Sequence, residues 1–528
     1  MYPEEGCGVR RLSILVALSL LVATAGCGPS FKEIKRETLT PSDFRTLMPD
    51  DVKALGKSSP YMKVHMHSGN VYVLEKWSTD ETRQLIEGNG TLYSPERDIL
   101  HEGRFRIGVD SVAIFETNVL RTSMAGRALT VFMGITAAVT IACLTNPKAC
   151  FGSCPTFYVH DGNDARLVAE GFSASIAPRL EATDVDDVRR TAAGGEDFSI
   201  EMRNEALETH VVRFVNVLAA PRPHGGRVFA DRAGRFWESS AVVPPSSATG
   251  PEGDCLALLV NLDDRERYSK ADSTYLGAKE TVEMEFDRVP GDPCGLVIGC
   301  RQTLLSTYLL YQTYAYMGKQ AGYWLAQIER GNLMQAQNPI QKMLGGIEVM
   351  TQDSSGAWTV AGGIGEYGPL ATDVHLVPLG RLPGAHARVR LIMTKGNWRI
   401  DYAALAVLSG TVEAVRVQPY AALKDGRLDD AALALLCDPG KALTTLPGDA
   451  YTLKYHLPDT SVDYQLFLES RGYYLEWIRS EWIEEENPSL LAEMFLSPRS
   501  ALTRLAPEFK KAESGMEDSF WRSRYAKP

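Results

Sequence analysis

A mainly β, multi-domain fold is what the sequence predicts: antiparallel β-sandwich-like domains, connecting helices, and a mixed α/β C-terminal region. Three observations carry this expectation. The chain has 528 residues, too many for one ordinary core. Its 45% hydrophobic and 23% charged residues are the balance of a folded globular protein. Short alternating segments bounded by Gly, Pro and Asn recur along most of its length, the pattern of antiparallel strands joined by turns. No repeat of solenoid or propeller length occurs. The net charge of −11 argues against a nucleic-acid partner, because binding phosphates needs a basic face.

The elements follow in order. Arg10 and Arg11 precede an apolar run from Leu12 to Ala23, then Thr24-Ala25-Gly26 and Cys27. This is the layout of a secretory signal peptide, with a charged start, a short apolar stretch and small residues at the cut. Glu4 and Glu5 suit the charged start poorly, and initiation at Val9 would remove them. A precursor whose first residue is Met1 would refute that alternative.

The ending Ala25-Gly26-Cys27 resembles the lipobox of bacterial lipoproteins, with Thr24 where that family usually has Leu. The resemblance implies cleavage after residue 26 and a lipid on Cys27. Gly28 in place of Asp implies an outer-membrane lipid anchor, on the periplasmic or surface side. Residues 1–26 are then the signal peptide. Residues 27–60, with four prolines and a helical turn at 42–48, are a tether.

Residues 61–122 read as a small antiparallel β-domain. "YMKVHMH" alternates, Ser68-Gly69-Asn70 is turn chemistry, and "VYVLEKW" is the returning strand. Residues 125–147 contain seventeen consecutive apolar or small residues without a charge, 128–144. A membrane-spanning helix needs about 17–25, so this run reads either as a buried helix or as a crossing. Residues 148–300 read as one β-sandwich domain and 338–420 as a second β-rich domain. Between them, 301–331 reads as an amphipathic aromatic helix with one broad apolar face. In the mixed region 421–528, "DAYTLKYHLP" and "DYQLFLES" read as strands. Tyr473–Glu486, Pro488–Phe495 and Ala512–Arg522 read as helices.

Seven cysteines remain once Cys7 leaves with the signal and Cys27 takes the lipid. In an exported chain, Cys150, Cys154, Cys294 and Cys300 are candidate disulfide residues. Cys143 or Cys437 is the expected odd thiol. Zinc would want two close pairs or a Cys/His quartet, and a redox pair would sit as Cys-x-x-Cys at a helix start. Pro155 after Cys154 disfavours a helix there. No metal site and no cofactor is expected. His65 and His67 share one face of an alternating strand and read as a solvated pair.

Glu205 and Glu208 are the candidate acid–base pair of an envelope hydrolase, which would need them to meet in a concave pocket. The aromatic run Tyr308–Trp324 reads as core between domains. Trp477 and Trp482 among glutamates read as a packed helix with an acidic outer side. No nucleophile elbow, zinc-protease motif, phosphate loop or dinucleotide fingerprint occurs in a suitable context. The favoured function is therefore a lipid-anchored, non-catalytic binding or scaffold protein that recruits envelope protein or glycan partners. The alternative is an envelope hydrolase acting on glycan, peptide or lipid.

Overall fold

The computed structural model describes residues 31–39, 41, 62–123 and 154–518, apart from 69, 81, 95–98, 162–163, 174, 177, 207, 288–292, 319–338, 366–367, 383–385, 459 and 477–484. The signal segment with Cys27, the apolar run 128–144, Cys143, Cys150, Trp477 and Trp482 lie outside the described residues. Among the described residues no helix is long and apolar enough to cross a membrane.

The N-terminal unit is one six-stranded sheet. Its strands are β1 (Phe31–Leu39), β2 (Met62–Met66), β3 (Val71–Asp80), β4 (Leu85–Tyr93), β5 (Ile99–Gly108) and β6 (Val112–Ser123), in the order β1-β6-β2-β3-β4-β5. β1 pairs antiparallel with β6, from Phe31 opposite Ser123 to Leu39 opposite Phe115. Part of the expected tether is therefore a strand. Met62, Val64, Leu74, Ile86, Ile107, Val112 and Phe115 are buried in this unit.

The larger unit begins with β7 (Thr156–Asp161), β8 (Asp164–Glu170), β9 (Ala182–Ala192), β10 (Asp197–Arg203), β11 (Glu208–Pro221), β12 (Arg227–Ala230), β13 (Phe236–Val243), β14 (Ser247–Gly250), β15 (Gly253–Asp254), β16 (Arg267–Tyr268), β17 (Lys279–Phe286) and β18 (Cys294–Gln302). Then come α1 (Leu304–Met317), α2 (Pro339–Leu344), β19 (Ile347–Gln352), β20 (Trp358–Ile364), β21 (Asp373–Gly380), β22 (Ala387–Thr394), β23 (Trp398–Val412) and β24 (Val415–Val417). Last are β25 (Ala421–Lys424), β26 (Arg427–Leu428), α3 (Asp430–Cys437), β27 (Leu443–Thr445), β28 (Ala450–His456), β29 (Tyr464–Glu476), α4 (Pro488–Leu496) and α5 (Pro498–Ala512).

These strands build two sandwiches, one inserted into the other. The outer sandwich stacks the sheet β26-β25-β28-β10-β7-β8 on the sheet β24-β11-β29-β9, with β27 beside β11. The inserted sandwich stacks β12-β13-β23-β18-β21, with β16 beside β23, on β15-β14-β17-β22-β19-β20. Alternation explains the stacking. β17 buries Glu280, Val282, Met284 and Phe286 and turns Lys279, Thr281, Glu283 and Glu285 outward. Its partner β22 buries Ala387, Val389, Leu391 and Met393 in the same core. Each such side chain contributes roughly 1.5–3 kcal/mol on burial. The two β-rich segments 148–300 and 338–420 are thus not separate domains. Each supplies strands to the same pair of sheets.

Two helical expectations are corrected. α1 is buried on nearly every side rather than along one face, because α2, α4 and α5 pack around it. The segment read as the helix Tyr473–Glu486 begins as the end of strand β29, where Tyr473 lies opposite Val211 of β11. The helix expected over Pro488–Phe495 is present as α4: the Asn487 side chain accepts the Leu490 amide at 3.1 Å, and Pro488 occupies the first turn. The helix expected from Ala512 is found as the end of α5, which begins at Pro498, followed by a 3-10 turn Glu513–Gly515 and a further helical turn at 516–518.

Candidate functional site

The residues singled out in the sequence have scattered fates. His65 is buried in β2 while His67 is exposed, so the expected solvated pair is not formed. β2 is an interior strand of its sheet, paired along both edges by β6 and β3. Glu205 and Glu208 are both buried, each with its own partners. A Glu205 oxygen accepts from the Thr156 hydroxyl at 2.9 Å and the Tyr158 hydroxyl at 2.7 Å. Glu208 lies 3.5 Å from the buried imidazole of His210.

Cys154, Cys255, Cys294, Cys300 and Cys437 are free thiols. Cys294 and Cys300, both candidate disulfide residues, do not bridge each other. They stand six residues apart on β18, a separation of about 20 Å at strand rise, against the roughly 4.4–6.8 Å between Cα atoms that a disulfide spans. Burial pushes the Cys154 and Cys300 thiols up strongly and Cys294 to about 11, so none is a ready nucleophile. Among the described residues no group of three or more His, Cys, Asp or Glu side chains is disposed to hold a metal ion.

The structure gathers other groups that sequence reasoning missed. The first is a nest of carboxyl groups where the two sandwiches meet. Edge strand β9 brings Asp184, Asp186 and Asp187, β8 ends in Glu170, and β21 brings Asp373 and His375. Regular alternation would expose one of Asp186 and Asp187, yet both are buried. A bulge causes part of this: Phe467 lies opposite Asp187 and Leu466 opposite Arg190, which leaves Val188 and Arg189 unmatched. Arg189 adopts φ +54°, and its amide donates to Asp187 at 2.8 Å.

Bonds cross between the sandwiches here. A Glu170 oxygen accepts the amides of Leu370 and Ala371 at 2.5 and 3.0 Å, and Asp373 accepts the Asp187 amide at 3.2 Å. Gln465 donates to Asp187 at 3.0 Å. His375 Nε2 lies 3.2 Å from Asp373 Oδ2. Desolvation, then the charge of Asp373, pushes Asp184 up to about 6, and burial raises Asp187 to about 6 and Asp373 to about 7. Asp186 is pushed well above the carboxylate range by burial and then by the surrounding carboxylates. Burial holds His375 down at about 4. The visible signal was "ATDVDDVRRTA", a strand pattern with acids at positions that should be apolar.

The second feature is the outer face of the inserted sandwich. Met350 of β19 lies opposite Arg390 of β22, which lies opposite Glu283 of β17. The Arg390 guanidinium sits 3.9 Å from the centre of the Trp358 ring and donates to Glu283 at 2.6 Å, while Arg388 donates to Glu283 at 2.8 Å. Val360, also on β20, is 61% exposed. An aromatic ring fixed by cations on a solvated sheet is able to bind partners by stacking and by hydrogen bonds.

The third is a cleft of about 510 Å³ lined by Lys270, Lys395 and Lys510 together with Glu252 and Asp272. The turn at Lys395 reaches it because Gly396, at φ +81°, has no Cβ; one there would stand 2.4 Å from Ala271. Both charges line the cleft, which is open to solvent and carries no clear preference for one ion.

No family model matches the chain, and no curated relative matches it. Among solved structures it is similar to a secreted serine protease, VesC, from Vibrio cholerae, at 8% identity over 69% of this chain and 75% of that one, with a TM-score of 0.14. It is similar to the infectious bursal disease virus VP2 subviral particle at 9% identity over 96% and 99%, with a TM-score of 0.13. It is also similar to MenF, the menaquinone-specific isochorismate synthase from Escherichia coli, at 9% identity over 94% and 100%, with a TM-score of 0.08. Superpositions this loose carry no argument about descent or activity, so what the chain does has to be argued from its own surfaces.

Proposed function

We propose that this chain is a lipid-anchored protein of the cell envelope that recruits a protein or glycan partner without transforming it. The anchor is the lipid on Cys27 that the lipobox resemblance implies. The observation that carries the binding role is the outer face of the inserted sandwich, where Trp358 is held beneath Arg390 and flanked by the exposed Val360. Aromatic and arginine side chains are the residue types that dominate binding energy at interfaces. The ion pairs of Arg388 and Arg390 with Glu283 set the guanidinium planes before a partner arrives, which lowers the ordering cost of binding.

The test is capture from detergent-solubilised envelopes and on a glycan array, using the full-length protein and its Trp358→Ala variant. The wild type should retain a specific partner or glycan that the variant loses at least tenfold. Equal capture by both would remove this face from the reading. No specific capture by the wild type would overturn the recruiting role itself.

A further inference from the structure

The segment from Gly368 to His375 straps the inserted sandwich to one edge strand of each sheet of the outer one. It is bonded to β8 through Glu170 and to β9 through Asp187. Gly368 is pressed so closely on Glu170 that a Cβ there would stand 2.3 Å from the carboxylate. We infer that this strap is a pH-sensitive latch between the two sandwiches, closed while the carboxyl groups around it hold protons and released as they ionise.

The geometry supplies the reason. Five carboxyl groups meet at the strap: Glu170 from β8, Asp184, Asp186 and Asp187 from β9, and Asp373 from the strap itself. Asp186 Oδ2 and Asp187 Oδ2 are buried without a hydrogen-bond partner. Few cations face them. Arg189 acts on Asp373 through its charge but is ion-paired with Asp264, 3.2 Å away, and Arg227 of β12 acts on Asp187 at longer range. β21 adds His375, β18 adds the uncharged Cys300 and β29 the neutral Gln465. Nearby Asp231 is held by Arg235 and Trp237, and Glu266 by Arg301. Full ionisation would therefore bury several negative charges against one another with too little positive charge to offset them.

The titration of these groups gives the direction. A carboxyl held above its ordinary value in the closed state keeps its proton there and loses it on opening. Closing is then favoured at low pH and weakens as pH rises through the values of about 6 for Asp184 and Asp187 and about 7 for Asp373. His375 acts the other way, since closing holds it neutral and acid opposes closing between about 4 and 6.5. Three carboxyl groups outweigh one imidazole across this range.

Hydrogen exchange of the full-length protein tests the latch. Protection factors, corrected for the intrinsic pH dependence of exchange, are compared at pH 5 and pH 8 for a peptide spanning 368–376 and for one spanning β18. The strap should lose protection more than tenfold between the two, about one pKa unit of coupling or more, while β18 stays unchanged. The double variant Asp186→Asn, Asp373→Asn should flatten the strap's dependence. Protection of 368–376 that does not change with pH in the wild type overturns the latch, whether or not the variant folds. A folded variant that keeps the full dependence overturns it as well.

Discussion

Arg267 has a fully buried side chain, and its guanidinium donates to Glu252, Glu280 and Ser269 at 2.7 to 3.2 Å. Glu280 is as deeply buried as its partner, whereas Glu252 reaches solvent. Removing the cation strands a carboxylate in the interior, at a cost of about 3–5 kcal/mol. Arg267→Met should lower the unfolding free energy by that amount in urea. Adding Glu280→Leu should restore a large part of it, because the two positions are coupled. A single variant within about 1 kcal/mol of wild type would show that water reaches Glu280. No local pattern marks this pair: "RERYSKAD" is mostly charged and polar, and β17 of the facing sheet, carrying Glu280, encloses Arg267. Glu205 and Glu208 illustrate the same blindness in reverse. Their chemistry was legible, and so was the pairing of Glu208 with His210 two residues on along β11, but the burial of Glu205 beneath Thr156 and Tyr158 depends on a strand that no local pattern connects to it.

α5 is the clearest amphipathic element of the C-terminal region. Ala501, Leu502, Leu505, Ala506, Phe509 and Ala512 recur at helical spacing and are buried against α1 and α4, with the Phe509 ring 5.2 Å from that of Tyr308. Phe509→Ala should destabilise the chain by about 3–5 kcal/mol through lost contacts and a cavity. Lys511→Ala, on the outer side and in a surface ion pair with Glu508, should change stability by less than about 0.5 kcal/mol. Thermal or urea unfolding of the two variants separates them, and equal effects would mean that α5 is not docked. Here the period was present in the sequence but was interrupted by Pro498 and Pro507, which directed the expected helices to either side of it. Strands were more legible than helices. Alternation in "KETVEMEF", "ARVRLIMT" and "DAYTLKYHLP" marks β17, β22 and β28 directly. Tyr473-Tyr474 was ambiguous because aromatic residues suit both a strand and a packed helix, and pairing with β11 decided it.

The nesting of the sandwiches lay beyond any local reading, because it depends on which strands pair across two hundred residues. The chain leaves the outer sandwich at the end of β11 and re-enters it at β24, and these two strands are neighbours: Ala219 lies opposite Val415 and Val217 opposite Val417. The insertion is therefore a long excursion from what would otherwise be a hairpin. The outer core draws only on residues from Phe157 to Ala219 and from Ala422 to Leu468, and the inserted core only on residues from Ala248 to Leu405. The two sandwiches also meet in a small shared cluster, in which Leu218, Ala220 and Phe467 of the outer one pack on Val228 and Phe236 of the insert, with the Phe236 and Phe467 rings 4.9 Å apart; each main core otherwise lies within its own sandwich, the condition for a domain that folds alone. Replacing residues 223–411 by Asn-Gly would close β11 onto β24 in the register they already have, with a two-residue hairpin turn. A chain of residues 154–222, Asn-Gly and 412–476 should then fold and unfold cooperatively. It would lack the strap, so Asp184, Asp186 and Asp187 would meet water and return toward ordinary carboxylate behaviour. The loss of stability that the intact chain should show as pH rises through 6 to 7 would be absent from the shortened one. Urea midpoints at pH 5 and pH 8 for both chains measure this. A shortened chain that unfolds without cooperativity would mean that the outer sandwich needs its insert to stand. One that folds but keeps the full pH dependence would place the raised carboxyls within the outer sandwich alone.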